Sequence, residues 1–100
     1  MCYIVRRLYI RQLRWDELNV AHIARHGVVP DEVEAVCHGA FIHRESYSGR
    51  VLIIGPARPR RMLAIVLAPE GDNVYYVVTA RNADRKERRQ CTEEKGGDRP

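Results

Sequence analysis

Between residues 40 and 79 the chain passes through four short stretches rich in apolar and β-branched residues, punctuated by turn signals. Residues 40–47 alternate with a period of two, and Ser48-Gly49 is a hairpin signal. Residues 51–54 are an apolar run suited to an interior strand. Residues 56–61 hold Pro56, Pro59 and three arginines, and read as a loop. Residues 62–67 form a third strand, Gly71-Asp72-Asn73 reverses the chain, and residues 74–79 form the fourth. Short turns between consecutive strands require antiparallel neighbours, so a meander of about four strands is expected.

Helical signals flank this meander. Trp15 precedes Asp16, a good N-cap, and residues 15–28 follow as a helix in which Leu18, Ala21, Ile23 and Ala24 can bury one side. Gly27 supplies the C-cap position. Asn19, His22 and His26 recur at spacings of three and four and share a stripe, with Arg25 beside them. A second helix starts at Pro30, with Asp31 and Glu32 in its first turn, Val33, Val36 and Cys37 on its apolar side, and Gly39 at its end. The expected plan is α+β: two N-terminal helices, an antiparallel sheet of about four strands, and a C-terminal helix. Residues 1–95 are read as a single domain and residues 96–100 as a frayed tail. Residues 3–13 read as a short strand or an irregular arm.

Residues 77–91 carry the densest chemistry. Val77 and Val78 end a strand, Asp84 and Glu87 have the spacing of a helix cap, and Arg81, Arg85, Lys86, Arg88 and Arg89 crowd the junction. Such a corner suits phosphate, and equally a solvated basic helix. The formal net charge is +4, and all cations but Lys86 and Lys95 are arginines, whose guanidinium groups pair with phosphate and stack on bases.

Cys2, Cys37 and Cys91 are odd in number and widely spaced, which fits reduced thiols and a cytoplasmic address better than a disulfide framework. No apolar run reaches the roughly 18 residues of a membrane span. The N-terminus interleaves arginines with apolar residues and is not a secretory signal.

On the fourth strand Tyr75, Val77, Thr79 and Arg81 are expected on one face, and Val74, Tyr76, Val78 and Ala80 on the other. At most one of Tyr75 and Tyr76 is then free to stack a base. If Arg81 reaches the polar stripe of the first helix, His22, Arg25, His26, Arg81, Glu87 and Arg88 surround one cleft. Cations, imidazoles and a carboxylate without an acidic cluster for magnesium suit metal-free RNA cleavage. The substrate's 2′-hydroxyl attacks its own phosphorus. Glu87 or a histidine takes that proton, arginines hold the phosphate, and a histidine protonates the leaving oxygen. His22, Arg85, Arg89 and Arg61 are candidate RNA contacts, although Arg58, Arg60 and Arg61 equally fit a solvated loop. No metal or other cofactor is expected: His22 and His26 have zinc-ligand spacing, but no third ligand is convincingly placed.

Two blocks of this sequence resemble the BrnT-type toxins of bacterial type II toxin–antitoxin systems, a family of RelE-like ribonuclease fold. The first is Trp15-Asp16 followed by Arg25-His26-Gly27; the second is Thr79-Ala80-Arg81 followed by Arg85-Lys86-Glu87-Arg88-Arg89. The resemblance spans most of residues 13–95. It implies an RNA-cleaving hydrolase that inhibits translation, and a co-encoded ribbon-helix-helix antitoxin (BrnA-like) through which alone DNA is contacted. It carries activity to Arg25, Glu87 and Arg88, with Arg81 a further candidate. The family usually has lysine where Arg25 stands, and often an aromatic near Cys91. A non-catalytic RNA- or protein-binding module of the same fold is the alternative.

Overall fold

Five strands form one mixed sheet in the order β1-β5-β4-β3-β2, in a computed structural model that describes residues 8–95. The expected tail at 96–100, and residues 3–7 of the expected N-terminal arm, lie outside the described residues. In chain order the elements are β1 (Gln12–Arg14), α1 (Glu17–Ala24), α2 (Pro30–Cys37), β2 (Ile42–Glu45), β3 (Val51–Arg58), β4 (Arg61–Gly71), β5 (Val74–Asn82) and α3 (Arg85–Lys95). A 3-10 turn at Tyr47–Gly49 joins β2 to β3. Among the described residues no helix is long and apolar enough to cross a membrane.

The four-strand antiparallel expectation is corrected by β1. This strand of three residues pairs parallel with Val74–Tyr76 of β5, so the sheet has five strands and mixed direction. Among the described residues no strand pairs with the outer side of β5 beyond Tyr76, and α1 packs against β5.

Residues 56–61 also differ from the expected loop. β3 continues to Arg58 and β4 begins at Arg61, leaving Pro59-Arg60 as the hairpin tip. Pro56 is tolerated because β2 pairs with β3 only from Val51 to Ile54, so Pro56 sits where one edge of β3 is already free. Gly55 is needed for a different reason. A Cβ there would stand 2.6 Å from the Ala40 carbonyl oxygen and 2.9 Å from Phe41 Cβ.

The two sheet faces are both apolar. On one, Ile53, Leu63, Ile65, Leu67, Tyr75, Val77 and Ala80 pack with Val33, Val36 and Cys37 of α2 and Ile23 of α1. The other, beneath α3, gathers Ile42, Ile54, Ala64, Ala83 and Cys91. The buried side of α2 is therefore the one expected. That of α1 is not: Leu18 is 76% exposed and Ala21 and Ala24 face outward, while Asn19 and Ile23, one turn apart, are buried. Asn19 is buried because it completes the helix start. Its backbone N–H donates to Asp16, its side-chain oxygen accepts from the Asp16 N–H, and its amide donates to the Arg14 carbonyl.

A β-bulge sets the last register. Leu67 pairs with Val77 and Val66 with Thr79, so Val78 is an extra residue on β5. Tyr75, Val77 and then Ala80 are buried in the first core. Thr79 and Arg81 are thereby shifted from the face expected for them, and Arg81 pairs with Ala64, a member of the second core. They come to lie on the face that carries α3.

Candidate active site

α3 starts where its sequence says it should. The Glu87 N–H donates to Asp84 Oδ1 at 2.8 Å, and the Asp84 N–H donates to Glu87 Oε1 at 2.9 Å. This reciprocal cap fixes the Glu87 carboxylate over the end of β5. There Arg81 donates from Nη1 and Nη2 to its two oxygens, at 2.8 Å each. Foremost among the causes, the Arg81 hydrogen bonds hold the Glu87 carboxyl below the usual carboxylate range, against an opposing effect of burial. Glu87 in turn raises Arg81. A carboxylate so stabilised is a weak proton acceptor near neutral pH. Arg88, one residue on, donates to the Ala83 carbonyl at 2.9 Å. Arg85 and Arg89 are exposed on the same helix.

The histidines come from the other end of the chain. His22 Nε2 lies 3.1 Å from Thr79 Oγ1, and the His22 and His26 rings meet edge to face with centroids 5.5 Å apart. His22 and Arg25 border a hollow of about 340 Å³ against Leu18, Tyr76 and Val78. The Arg25 side chain has no hydrogen bond or ion pair among the described residues. Among the described residues no hydrogen bond or ion pair joins Arg25 to Arg81 or Glu87, and the residues bordering the hollow beside Arg25 do not include Arg81, Glu87 or Arg88, so the six expected around one cleft do not all border this one. The link runs through His22 to Thr79, which precedes Arg81 by two residues on the same face of β5.

Tyr75 is buried and Tyr76 half-buried. Tyr76 is not free for a base on both sides: its hydroxyl donates to the Asp16 carboxylate at 3.1 Å, and the Arg14 guanidinium lies 4.5 Å from its ring centroid. Arg14 is itself clamped to Glu70 at 2.7 and 2.8 Å.

Arg61 stands apart from the other expected RNA contacts. It donates to both oxygens of Glu32 on α2 at 2.6 and 3.2 Å, to the Gly27 carbonyl at 2.7 Å and to Asn82 at 2.9 Å. Four of its five N–H groups are thus spent on joining α2 and the Gly27 turn to the sheet. Among the described residues, no group of three His, Cys, Asp or Glu side chains is placed to hold a metal ion.

Thr79 is a site residue that strand periodicity places on the wrong face. Its signal lay in the Thr79-Ala80-Arg81 motif, but its partner depends on the bulge and on α1 lying along the β5 edge.

No protein-family model matches the sequence, and no curated protein matches it. Among solved structures, the chain is similar to the Brucella abortus ribonuclease toxin BrnT, with a TM-score of 0.61 and 22% identity over 74% of this chain and 97% of that one. At this identity the likeness concerns architecture: three helices on a five-stranded mixed sheet, with the chain order of β1 to α3, give this protein the BrnT fold.

Proposed function

We propose that residues 1–95 form a single toxin domain of a type II toxin–antitoxin system, a metal-independent endoribonuclease that acts in the cytoplasm and inhibits translation. The observation that carries this reading is the His22–Thr79 contact, which brings the histidine stripe of α1 to the strand that bears Arg81. It occurs in a chain with the fold of a protein described as a ribonuclease toxin.

The chemistry follows from the groups present. A histidine, His22 or His26, accepts the proton of the substrate's 2′-hydroxyl as the O2′–P bond forms. Arg25, Arg81 and Arg88 offset the charge on the phosphoryl oxygens. The P–O5′ bond breaks and a protonated histidine supplies the proton to O5′. The products are a 2′,3′-cyclic phosphate and a 5′-hydroxyl, and no metal is needed because the substrate carries its own nucleophile. Glu87, with its depressed proton affinity, serves to hold Arg81 rather than as the base. Arg85 and Arg89 extend the contact with RNA. Arg61, engaged within the fold, is left out of the RNA-binding set. The partner in this reading is a ribbon-helix-helix antitoxin, through which any DNA contact is made.

One observation favours a second reading, a non-catalytic RNA- or protein-binding module. Both terminal nitrogens of Arg81 already donate to Glu87, and Nη1 donates to the Asn82 carbonyl as well. The two readings separate on incubation of the purified chain with RNA in excess chelator. The nuclease gives cleaved strands with 2′,3′-cyclic phosphate ends; the binding module gives salt-sensitive binding and intact RNA.

A further inference from the structure

Three arginines, Arg58, Arg60 and Arg61, stand at the tip of the β3–β4 hairpin, and Arg61 among them is engaged within the fold. Arg58 and Arg61 are the last paired residues, and Pro59-Arg60 makes the turn. Arg60 adopts φ +69°, a left-handed conformation disfavoured for a long side chain. The β4–β5 hairpin meets the same need with Asp72 and Asn73, residues that tolerate it. An arginine in this conformation, where glycine or asparagine would be easier, directs attention to what its side chain does.

Behind the tip lies a hollow of about 640 Å³, bordered by Arg58, Arg60, Arg61, Arg88, Met62 and Asn82. Among the described residues no carboxylate borders it. Arg61 is neutralised by Glu32, and Arg88 spends Nη1 on the Ala83 carbonyl. The side chains of Arg58 and Arg60 have no hydrogen bond or ion pair among the described residues. Two guanidinium groups without a hydrogen bond or ion pair among the described residues, of which Arg58 also acts at longer range on Glu32, thus border a recess open to solvent together with the remaining N–H groups of Arg88.

We infer that this hollow is a phosphate-binding subsite for single-stranded RNA, placed outside the reacting centre. The assignment of RNA, rather than another polyanion, rests on the nuclease reading. The subsite adjoins that centre because Arg88, which belongs to the centre, also borders the hollow, and because Asn82 follows Arg81. A strand held at Arg81 and Arg88 would continue across α3's first turn to the hairpin tip, where Arg58 and Arg60 grip a flanking phosphate. Their role is affinity and register on the strand, not proton transfer.

The test uses a short single-stranded oligonucleotide with 2′-O-methyl riboses, which cannot be cleaved by its own 2′-oxygen, so binding is read whether or not the protein is a nuclease. Arg58→Ala with Arg60→Ala is expected to weaken binding roughly tenfold or more. The same double variant should make log affinity less steep in log salt, by about 0.7 for each phosphate that is no longer neutralised. Arg60→Gly is expected to weaken binding while raising the melting temperature, because it removes the side chain and relieves the backbone together. Equal affinity and salt slope in parent and double variant would overturn the inference, as would no binding of the oligonucleotide by the parent. A double variant that loses binding to polyglutamate but not to the oligonucleotide would overturn it in favour of an acidic protein partner. Should the parent leave RNA uncut while the double variant still loses oligonucleotide binding, the nuclease reading falls and the subsite stands.

Discussion

Arg81 and Glu87 meet as a two-bonded pair at the point where β5 hands over to α3, and the same carboxylate also caps that helix. One side chain therefore fixes both the direction of a guanidinium and the start of the element that carries Arg85, Arg88 and Arg89. Glu87→Gln keeps the shape and an oxygen for the Asp84 N–H but removes the charge. The Arg81 side chain is substantially exposed, so the stability lost is expected to be only about 1 kcal/mol in urea unfolding. RNA cleavage is expected to fall tenfold or more, while the pH–rate profile keeps its acidic limb. Loss of that limb would show Glu87 to be the base instead.

Acid should loosen the fold at two places at once. Glu32 and Glu87 both have their carboxyls lowered from 4.5, in each case chiefly by an arginine hydrogen bond. A carboxylate whose folded pKa is depressed contributes stability above its unfolded pKa and loses it as pH falls through the folded value. Unfolding free energy is thus expected to be level from neutral pH down to the ordinary carboxylate range and to decline below it. Glu32→Gln should make that decline shallower; an unchanged slope would contradict the assignment.

Arg61→Ala tests whether this arginine is structural. Its partner Glu32 has a side chain only 18% exposed, so removal leaves a largely desolvated carboxylate unpaired. A loss of about 2 kcal/mol or more is expected in urea unfolding, with RNA affinity held under conditions where the variant remains folded. Unchanged stability with weakened RNA binding would return Arg61 to the RNA contacts.

Gly55→Ala should be costly although nothing about Gly55 is catalytic. The added methyl would press on the Ala40 carbonyl and Phe41, where the chain leaves α2 and crosses β3. Backbone must move to admit it, and about 1–3 kcal/mol of destabilisation is expected from thermal or urea melts. A neutral effect would mean that the α2–β2 connection is more yielding than its contacts indicate.

Strand positions on β4 and β5 were legible because β-branched runs and turn residues mark them directly, and the α3 cap because Asp84 and Glu87 have the right spacing. β1 was not: Gln12–Arg14 has no length over which a period can show, and its pairing is parallel with a strand about 60 residues further along the chain. The bulge at Val78 leaves no composition signal, yet it alone decides the face of Thr79 and Arg81. Leu18 misled for a related reason. A helix of eight residues lying along a sheet edge buries a narrow stripe, here Asn19 and Ile23, and leaves other apolar residues outside.

In the proposed mechanism α1 and the β5–α3 corner, far apart in the chain, work as one site. A double-mutant cycle on RNA cleavage in excess chelator, with Arg25→Ala and Arg88→Ala, reads this directly. Groups that act on one phosphate are grossly non-additive. Each single variant should lose most of the activity, and the double variant should be little worse than the poorer single one. Losses that multiply, an Arg25→Ala variant that cleaves like the parent, or RNA left intact by the parent itself would contradict the claim.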